Sequence, residues 1–467
     1  MNAVGAPRTL RRQAFAALPA VAEPRWDLAY VAVLGLVIFQ YMRVQQMFPV
    51  LSPVPFGKIL YTLALVGLLI SRRLPRPRTQ MPLAIDVLVV IFVLAHYLSA
   101  IFATYSSLAL SGCIDATSWM VTYFVVSRAL NGTWRMRIFV FILLLLNLKL
   151  AQFSVRNYFL ALGAGRSQQF LSVHGVGAGS TDFFGNAGDF GVAMCVVWPL
   201  AGSLLFGEKK LVSKALFAAG FVAFFAAILV CGSRGALVGA AMVAVVAWVS
   251  KPQKIAGALM VVVLMIGFFF ALPQANKNRL ASALHPESDP TASLRLDFWA
   301  AGLRMFESHP LLGVGPRNFP PEYAFKYATA PTNPSTGNTT NWWDPHSIYI
   351  QSLSQVGALG TVPLLLILLL YFGMNYKTRR HLRNFGLTMK NSYEMRLSRG
   401  LDLGMVGYLV SGAFITVLYY PHLWFLLGMG VALHRTALRR EKTEKEAEVL
   451  RPERKKAGRA YALAARG

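Results

Sequence analysis

Three stretches of the sequence carry side chains able to do chemistry. In DPHSIYIQSLSQVGALG (344–360), His346 follows Pro345 and stands just ahead of a long apolar run. A free imidazole titrates near about pH 6.5, so it can take or give a proton at neutral pH. Arginines nearby would hold it neutral, which suits a general base. Taken alone, it reads first as an interfacial histidine bonded to Asp344 or to a backbone carbonyl. At helical spacing it would share a face with Tyr349 and Ile350. In CGSRGAL (231–237), Gly232 and Gly235 bracket Ser233 and Arg234. The guanidinium there either snorkels to lipid head groups or clamps an anion, pairing with phosphate oxygens beside backbone N–H groups that the glycines leave open. In SLRLDFW (293–299), Arg295 either forms a weak bridge to Asp297, Asp289 or Glu307 or is a second anion contact. Arg304 and Arg317 follow as anion contacts of second rank.

Other chemistries lack their signatures. No H-x-x-x-H pair accompanies His346, so a zinc site is poorly supported and no metal is expected. No P-loop, dinucleotide fingerprint or G-x-S-x-G elbow occurs, and no cofactor is expected. Cys113, Cys195 and Cys231 lie far apart, in or beside apolar runs, and read as packing residues.

These residues must be positioned by a membrane protein. The chain has 467 residues, 55% of them hydrophobic and only 14% charged, with a mean hydropathy of +0.48. A soluble domain needs more polar surface. Apolar runs of the length a helical span requires recur along the chain. The expected fold is an all-α polytopic membrane protein with about twelve spans, at roughly 27–45, 56–71, 83–103, 113–127, 138–155, 189–206, 212–231, 235–250, 255–272, 347–372, 404–420 and 422–437. This divides the chain into a basic N-terminal segment (1–26), a membrane region (27–437) and a charged tail (438–467) that reads as solvated helix or disorder. The first apolar run is long enough to stay as an anchor rather than be cleaved.

The net charge of +26 raises the question of nucleic acid, but its distribution answers no. Lysines and arginines fall mainly in short loops between spans and in the tail. If both termini are cytoplasmic, they collect on the cytoplasmic side at RRLPRPR (72–78), RALNGTWRMR (128–137), GEKKLVSK (207–214), KPQK (251–254) and KTRRHLR (377–383), as topology demands. Two long segments then face outward, 156–188 and 273–346. Connections this long usually carry function or structure of their own. Within the second, TASLRLDFWAAGLRMFESHP (291–310) predicts a helix with an apolar face of Leu294, Phe298, Ala301, Leu303 and Met305. Thr291 or Ser293 would cap it and Pro310 would end it. GVGPRNFPPEY (313–323) follows as a turn-rich element. Within the spans, Lys149 is the main candidate for a buried charge, the feature a transporter or flippase would need.

On this layout Arg234, Arg295 and His346 share the outer face under a long loop. The expected ligand is an anionic, lipid-linked molecule. ATP is absent outside an inner membrane, so a reaction there needs a donor that is already activated. A sugar joined to a lipid pyrophosphate meets that need, because arginines can absorb the charge of the departing pyrophosphate.

The same three stretches resemble motifs of the bacterial O-antigen ligase superfamily. CGSRGAL is similar to its S-R-G element. RLDFWAAGLRMFESHPLLGVGPRNF is similar to its R…W…G…F…P-x-x-G-x-G-x-x-x-F segment, and DPHSIYIQSLSQVGALG to its H-(N/S)-x-Y-x-Q-x-x-x-x-x-G segment. The resemblance implies an integral-membrane glycosyltransferase of the C type. Such an enzyme takes a glycan from undecaprenyl pyrophosphate at the periplasmic face of the bacterial inner membrane, among membrane lipids, and passes it to an acceptor hydroxyl with inversion. It uses no nucleotide sugar, and the ligases require no metal. Carried over, Arg234 and Arg295 look like the diphosphate-binding arginines and His346 like the histidine that activates the acceptor. Ser347 stands where the family often has Asn. FFGNAGDFG (183–191) resembles a further family segment, in which Asn186 and Asp189 serve as helix caps or sugar contacts. The acceptor stays open: lipid A-core for a ligase, a second lipid-linked repeat for a polymerase, Ser or Thr for a protein O-oligosaccharyltransferase, in that order of preference.

Overall fold

Runs of Leu, Ala, Val and Phe broken only by Gly, Pro and polar turns leave the backbone one way to satisfy its hydrogen bonds in an apolar surround, the helix. The computed structural model describes residues 26–42, 48–71, 80–166, 184, 186–250, 290–328 and 342–439, and among these there is helix and no strand. The first eight helices are α1 (Leu28–Met42), α2 (Phe56–Ile70), α3 (Gln80–Ile101), α4 (Ser106–Ala129), α5 (Thr133–Gly163), α6 (Ala187–Leu205), α7 (Leu211–Val230) and α8 (Arg234–Val249). Then come α9 (Pro290–Ser308), the single-turn α10 (Phe319–Glu322) running into a π-turn (Tyr323–Tyr327), α11 (Ile348–Asn384), α12 (Tyr393–Gly412) and α13 (421–439). Six of the described helices, α3 to α7 and α11, are long and apolar enough to cross a membrane; α1, α2 and α8 are shorter apolar helices. The expected span at 255–272 lies outside the described residues, as do most of the 156–188 segment and the parts of the 273–346 segment before α9 and between 329 and 341.

α13 is the axis of the bundle. It is buried along nearly all its length, as befits a helix apolar on every face. Phe139 of α5 meets Phe425 edge-on, with ring centroids 5.9 Å apart. A Cβ on Gly428 would stand 2.8 Å from Val126 of α4, and one on Gly430 would stand 2.6 Å from the Tyr371 ring of α11. Around this axis α6 packs on α12, α7 and α8, and α11 packs on α3.

Several expected boundaries move, each for a physical reason. The span expected at 138–155 is the middle of α5, which runs from Thr133 to Gly163 and takes in the first eight residues of the 156–188 segment expected outside. The span expected at 404–420 is displaced: α12 begins at Tyr393 and ends at Gly412. Its first half carries Glu394, Arg396, Arg399 and Asp402, charges that hydropathy rejects but that the protein partners internally. Asp402 pairs with Arg379 at 2.5 Å and accepts from Asn375 at 2.7 Å. Glu394 accepts from Ser392 at 2.8 Å, and Arg399 donates to the Val246 carbonyl at 3.2 Å. Lys149 proves exposed on its helix, so it is not the buried charge. Leu303 is likewise exposed rather than part of the α9 apolar face, whereas Phe298, Ala301 and Met305 are buried. Because α9 starts at Pro290, a favoured first helical residue, Ser293 lies within the helix and does not cap it.

A second feature governs the site. α11 is broken at Gly357, whose φ of 55° and ψ of −158° interrupt the helix about 14 Å from its start, at 1.5 Å of rise per residue. The freed backbone is met by the turn after α9. Val314 and Gly315 donate to the carbonyls of Ser354 and Gln355 at 2.8 and 3.0 Å, while Ala358 and Leu359 donate to those of Pro310 and Leu311 at 2.8 and 3.1 Å. Ser99 of α3 donates to the same Gln355 carbonyl at 2.9 Å. Backbones approach this closely only without side chains between them: a Cβ on Gly357 would lie 2.5 Å from the Leu311 carbonyl, and one on Gly313 2.5 Å from that of Ser354.

At the opposite end of the bundle, Asp86 of α3 is the hub of a buried charge cluster. It accepts from Tyr123 at 2.6 Å, Arg128 at 2.9 Å and Arg435 at 3.0 Å. Asp86→Asn leaves two buried guanidinium groups facing each other without a counter-charge, so it is expected to cost about 3–5 kcal/mol; a thermal unfolding midpoint in detergent equal to that of the unaltered protein would contradict this. Gly357→Ala puts a side chain both in a positive-φ conformation essentially confined to glycine, at about 1–3 kcal/mol, and against the Leu311 backbone. It should lower the same midpoint well beyond Gly373→Ala, a change in the same helix where only the mobile end of Met81 comes near.

Candidate functional site

The site is assembled at the end of the bundle where α6, α8 and α11 all begin. Each helix start carries a partial positive charge, and the starts of α6 and α8 are capped by Asn186 and Ser233. α9 lies over this end, locked in place by the Gly357 docking and by its own small core of Phe298, Ala301, Met305, Val314, Phe319 and Tyr323.

His346 is not on the α11 helix face with Tyr349, as helical spacing suggested. It stands two residues before the helix, with φ at 49°, in the left-handed region that side chains disfavour. Two bonds hold the peptides around it. Its N–H donates to Thr416 Oγ1 at 2.9 Å, and the indole N–H of Trp299 donates to the preceding Pro345 carbonyl at 3.1 Å. The imidazole packs against Phe298, with ring centroids 5.9 Å apart. Burial first, and then the positive charge of Arg295, lower its pKa from the ordinary value to about 4. Arg295, half-buried on α9, is thus near enough to act on the imidazole, which stays neutral at physiological pH.

Arg234 is the first residue of α8 and is half-buried. The turn before it works as expected from glycine and serine: Gly232 takes φ 74°, and Ser233 caps the helix by accepting from the Ala236 N–H at 3.3 Å. Gly235 faces Phe414, whose Cβ would be 3.0 Å from an added methyl. Phe414 in turn meets Trp299 at 6.1 Å. Arg234 and His346 are therefore linked through residues 414–416, on one end of the protein.

The remaining candidates divide. Asn186 caps α6, accepting from Gly188 and Asp189 N–H at 2.8 and 3.1 Å. Asp189, 3% exposed, accepts from the Tyr420 hydroxyl at 2.8 Å. Arg304 donates to the Tyr327 carbonyl at 2.6 Å, which ties α9 to the π-turn. The Tyr349 hydroxyl is bound to the Leu409 carbonyl at 3.0 Å. Arg317 sits in a left-handed turn (φ 57°), exposed, with its guanidinium on Asp115 at 2.5 Å and its N–H on the Gln355 side chain at 3.1 Å. The structure thus brings His346 and Arg295 together, with Arg234 across the 414–416 link, and gives Arg304, Tyr349, Ser233 and Asn186 bonds within the fold.

Sequence reading missed segment 413–420, which supplies Phe414, Thr416, Tyr419 and Tyr420. Tyr419 shares a 2.6 Å hydrogen bond with Nε2 of the buried His96. The segment was hidden inside an expected span. Its signal was Pro421, since the residue before a proline is pushed out of the helical region. Among the described residues, no group of three His, Cys, Asp or Glu side chains is placed to hold a metal ion.

Comparison with known families gives one match: residues 219–365 fit the family model described as O-antigen ligase. The match spans just under a third of the chain. No curated protein matches the chain. Residues 219–365, the stretch that supplies Arg234, Arg295, Arg304, Arg317 and His346, are thus similar to the O-antigen ligase family.

Proposed function

We propose that this chain is a glycosyltransferase that moves a glycan from undecaprenyl pyrophosphate to a hydroxyl of lipid A-core, at the periplasmic face of a bacterial inner membrane. The family match supports a ligase- or polymerase-type activity. The observation that carries the mechanism is an imidazole kept unprotonated beside Arg295, at the same end as Arg234. The side of the membrane is supported by the opposite end, where Arg128, Arg135, Lys209, Lys210, Lys214 and Arg379 gather near helix ends, as the positive-inside rule requires of a cytoplasmic face.

In this reading Arg234 and Arg295 pair with the diphosphate oxygens, helped by the starts of α6, α8 and α11. His346 takes the proton from the acceptor hydroxyl. The acceptor oxygen attacks the anomeric carbon from the face opposite the pyrophosphate, and the bond from that carbon to the phosphate oxygen breaks with its electron pair going to the lipid pyrophosphate. The configuration inverts, and the guanidinium groups stabilise the charge that appears on the leaving group.

A base with a pKa near 4 is weak, and the donor corrects this. The diphosphate brings negative charge against Arg295 and so raises the proton affinity of the imidazole. The neutral form is the active one, so activity falls as pH drops through the imidazole pKa. The acid limb of kcat, which reports the donor complex, should lie at higher pH than the acid limb of kcat/KM, which reports the free protein. Coincident limbs would count against this coupling.

His346→Ala should lower glycan transfer by about 10²–10⁴-fold while folding and donor binding persist; transfer near the unaltered rate would remove the base. Arg234→Ala should instead weaken binding of labelled lipid-pyrophosphate donor to the purified protein, and unchanged affinity would remove the clamp. The acceptor is fixed by reconstituting the protein with undecaprenyl-pyrophosphate-linked glycan and offering lipid A-core, a second donor molecule and a Ser/Thr peptide in turn. Transfer to lipid A-core is expected. Exclusive use of the second donor would make the protein a polymerase, and exclusive use of the peptide a protein O-oligosaccharyltransferase.

A further inference from the structure

His346 occupies a backbone conformation that a residue with a Cβ adopts only where its surroundings hold it. The holding contacts are few. Trp299 fixes the Pro345 carbonyl on one side, and the ring rests on Phe298; both come from α9. The His346 peptide N–H itself donates to the Thr416 hydroxyl oxygen, at 2.9 Å. Thr416 does not belong to α9. It stands on the non-helical segment between α12 and α13, two residues from Phe414, which touches the α8 start at Gly235, and four from Tyr420, which binds Asp189 of α6. The same short segment therefore contacts the imidazole's backbone and the helix that begins with Arg234. A shift in it moves one relative to the other.

We infer that Thr416 is a positioning residue for the transfer reaction: its hydroxyl anchors the left-handed turn at His346 and so sets the imidazole at a fixed separation from Arg234. This rests on the reading of His346 as the base. The contribution is to orientation: the base must stand within hydrogen-bond reach of the acceptor hydroxyl while the diphosphate is held by the arginines, and a displacement of about 1 Å at such a site can cost about 10²-fold. Thr416 needs no contact with substrate to do this.

The test uses the full-length protein reconstituted with undecaprenyl-pyrophosphate-linked glycan and whichever acceptor supports transfer. Thr416→Val keeps the shape and removes the acceptor oxygen; Thr416→Ser keeps the oxygen. Thr416→Val is expected to lower kcat by about 10- to 100-fold with the donor KM little changed, and Thr416→Ser to recover most of the loss. Should valine fail to fold, Thr416→Ala makes the same comparison without a branched side chain. Full activity in Thr416→Val or Thr416→Ala overturns the inference, and so does a serine variant as impaired as valine, because the hydroxyl would then not be what matters. His346→Ala is run beside them. If it abolishes transfer while Thr416→Val does not, Thr416 is wrongly assigned and the base stands. If His346→Ala transfers normally, the reading of the base itself fails.

Discussion

The structure depends on the pairing of a turn with a broken helix. Four backbone hydrogen bonds join residues 310–315 to the interruption in α11. The carbonyls of Ser354 and Gln355 and the N–H groups of Ala358 and Leu359 are met by the turn's backbone, and the close approaches at Gly313 and Gly357 leave no room for a side chain. The turn is thereby sewn into the bundle. Because α9 leads directly into it, Arg295, Phe298 and Trp299 inherit a fixed place over the bundle end, and His346, eleven residues before the break in the same stretch of chain, inherits the other half of that frame. Asn318 completes the anchoring by exchanging hydrogen bonds with the Tyr105 backbone at 2.8 and 3.2 Å, between α3 and α4.

Electrostatics sort by end. Opposite the site, charges meet their partners: Asp86 holds two arginines and a tyrosine, Asp402 holds Arg379, and Arg135 holds Asp27 at 2.7 Å. At the site end the balance is different. Three helix starts and several arginines lie here, and three of the described carboxylates are engaged, Asp297 by Tyr323, Asp189 by Tyr420 and Asp115 by Arg317, while Asp344 stands exposed two residues before His346. His346 there has a lowered proton affinity, first through burial and then through the charge of Arg295. Burial and the Arg295 guanidinium together keep the imidazole neutral, the form a general base needs.

Much of this was legible in the sequence. Apolar runs of Leu, Val and Phe gave most helices to within a few residues, because a span's length is fixed by membrane thickness. The serine and glycines of CGSRGAL gave the α8 cap, and the spacing of Phe298, Ala301 and Met305 gave the buried face of α9. What stayed hidden had a common cause: it depends on contacts between distant segments. Hydropathy discards Glu394 and Asp402 as loop residues, since it does not know that Thr133, Ser392, Arg379 and Asn375 stand beside them. The break at Gly357 sits in a run that reads as continuous helix, and only its partner turn explains it. Thr416 carries no motif, and the left-handed turn it holds is a property of the folded chain alone.

The enclosed position of α13 bears on how the protein is made. A membrane chain is threaded into the bilayer from its N-terminus, yet here α13, buried along nearly all its length, follows twelve other described helices in order of synthesis. The earlier helices must assemble around an unfilled slot or stay loosely associated until α13 arrives. The segment just ahead of it, bearing Phe414 and Thr416, reaches its place at the same moment. A ribosome that stalls short of this point releases a protein with its arginines and histidine present and nothing to hold them in register. Completion of the chain is thus built into the geometry as a precondition for a formed site.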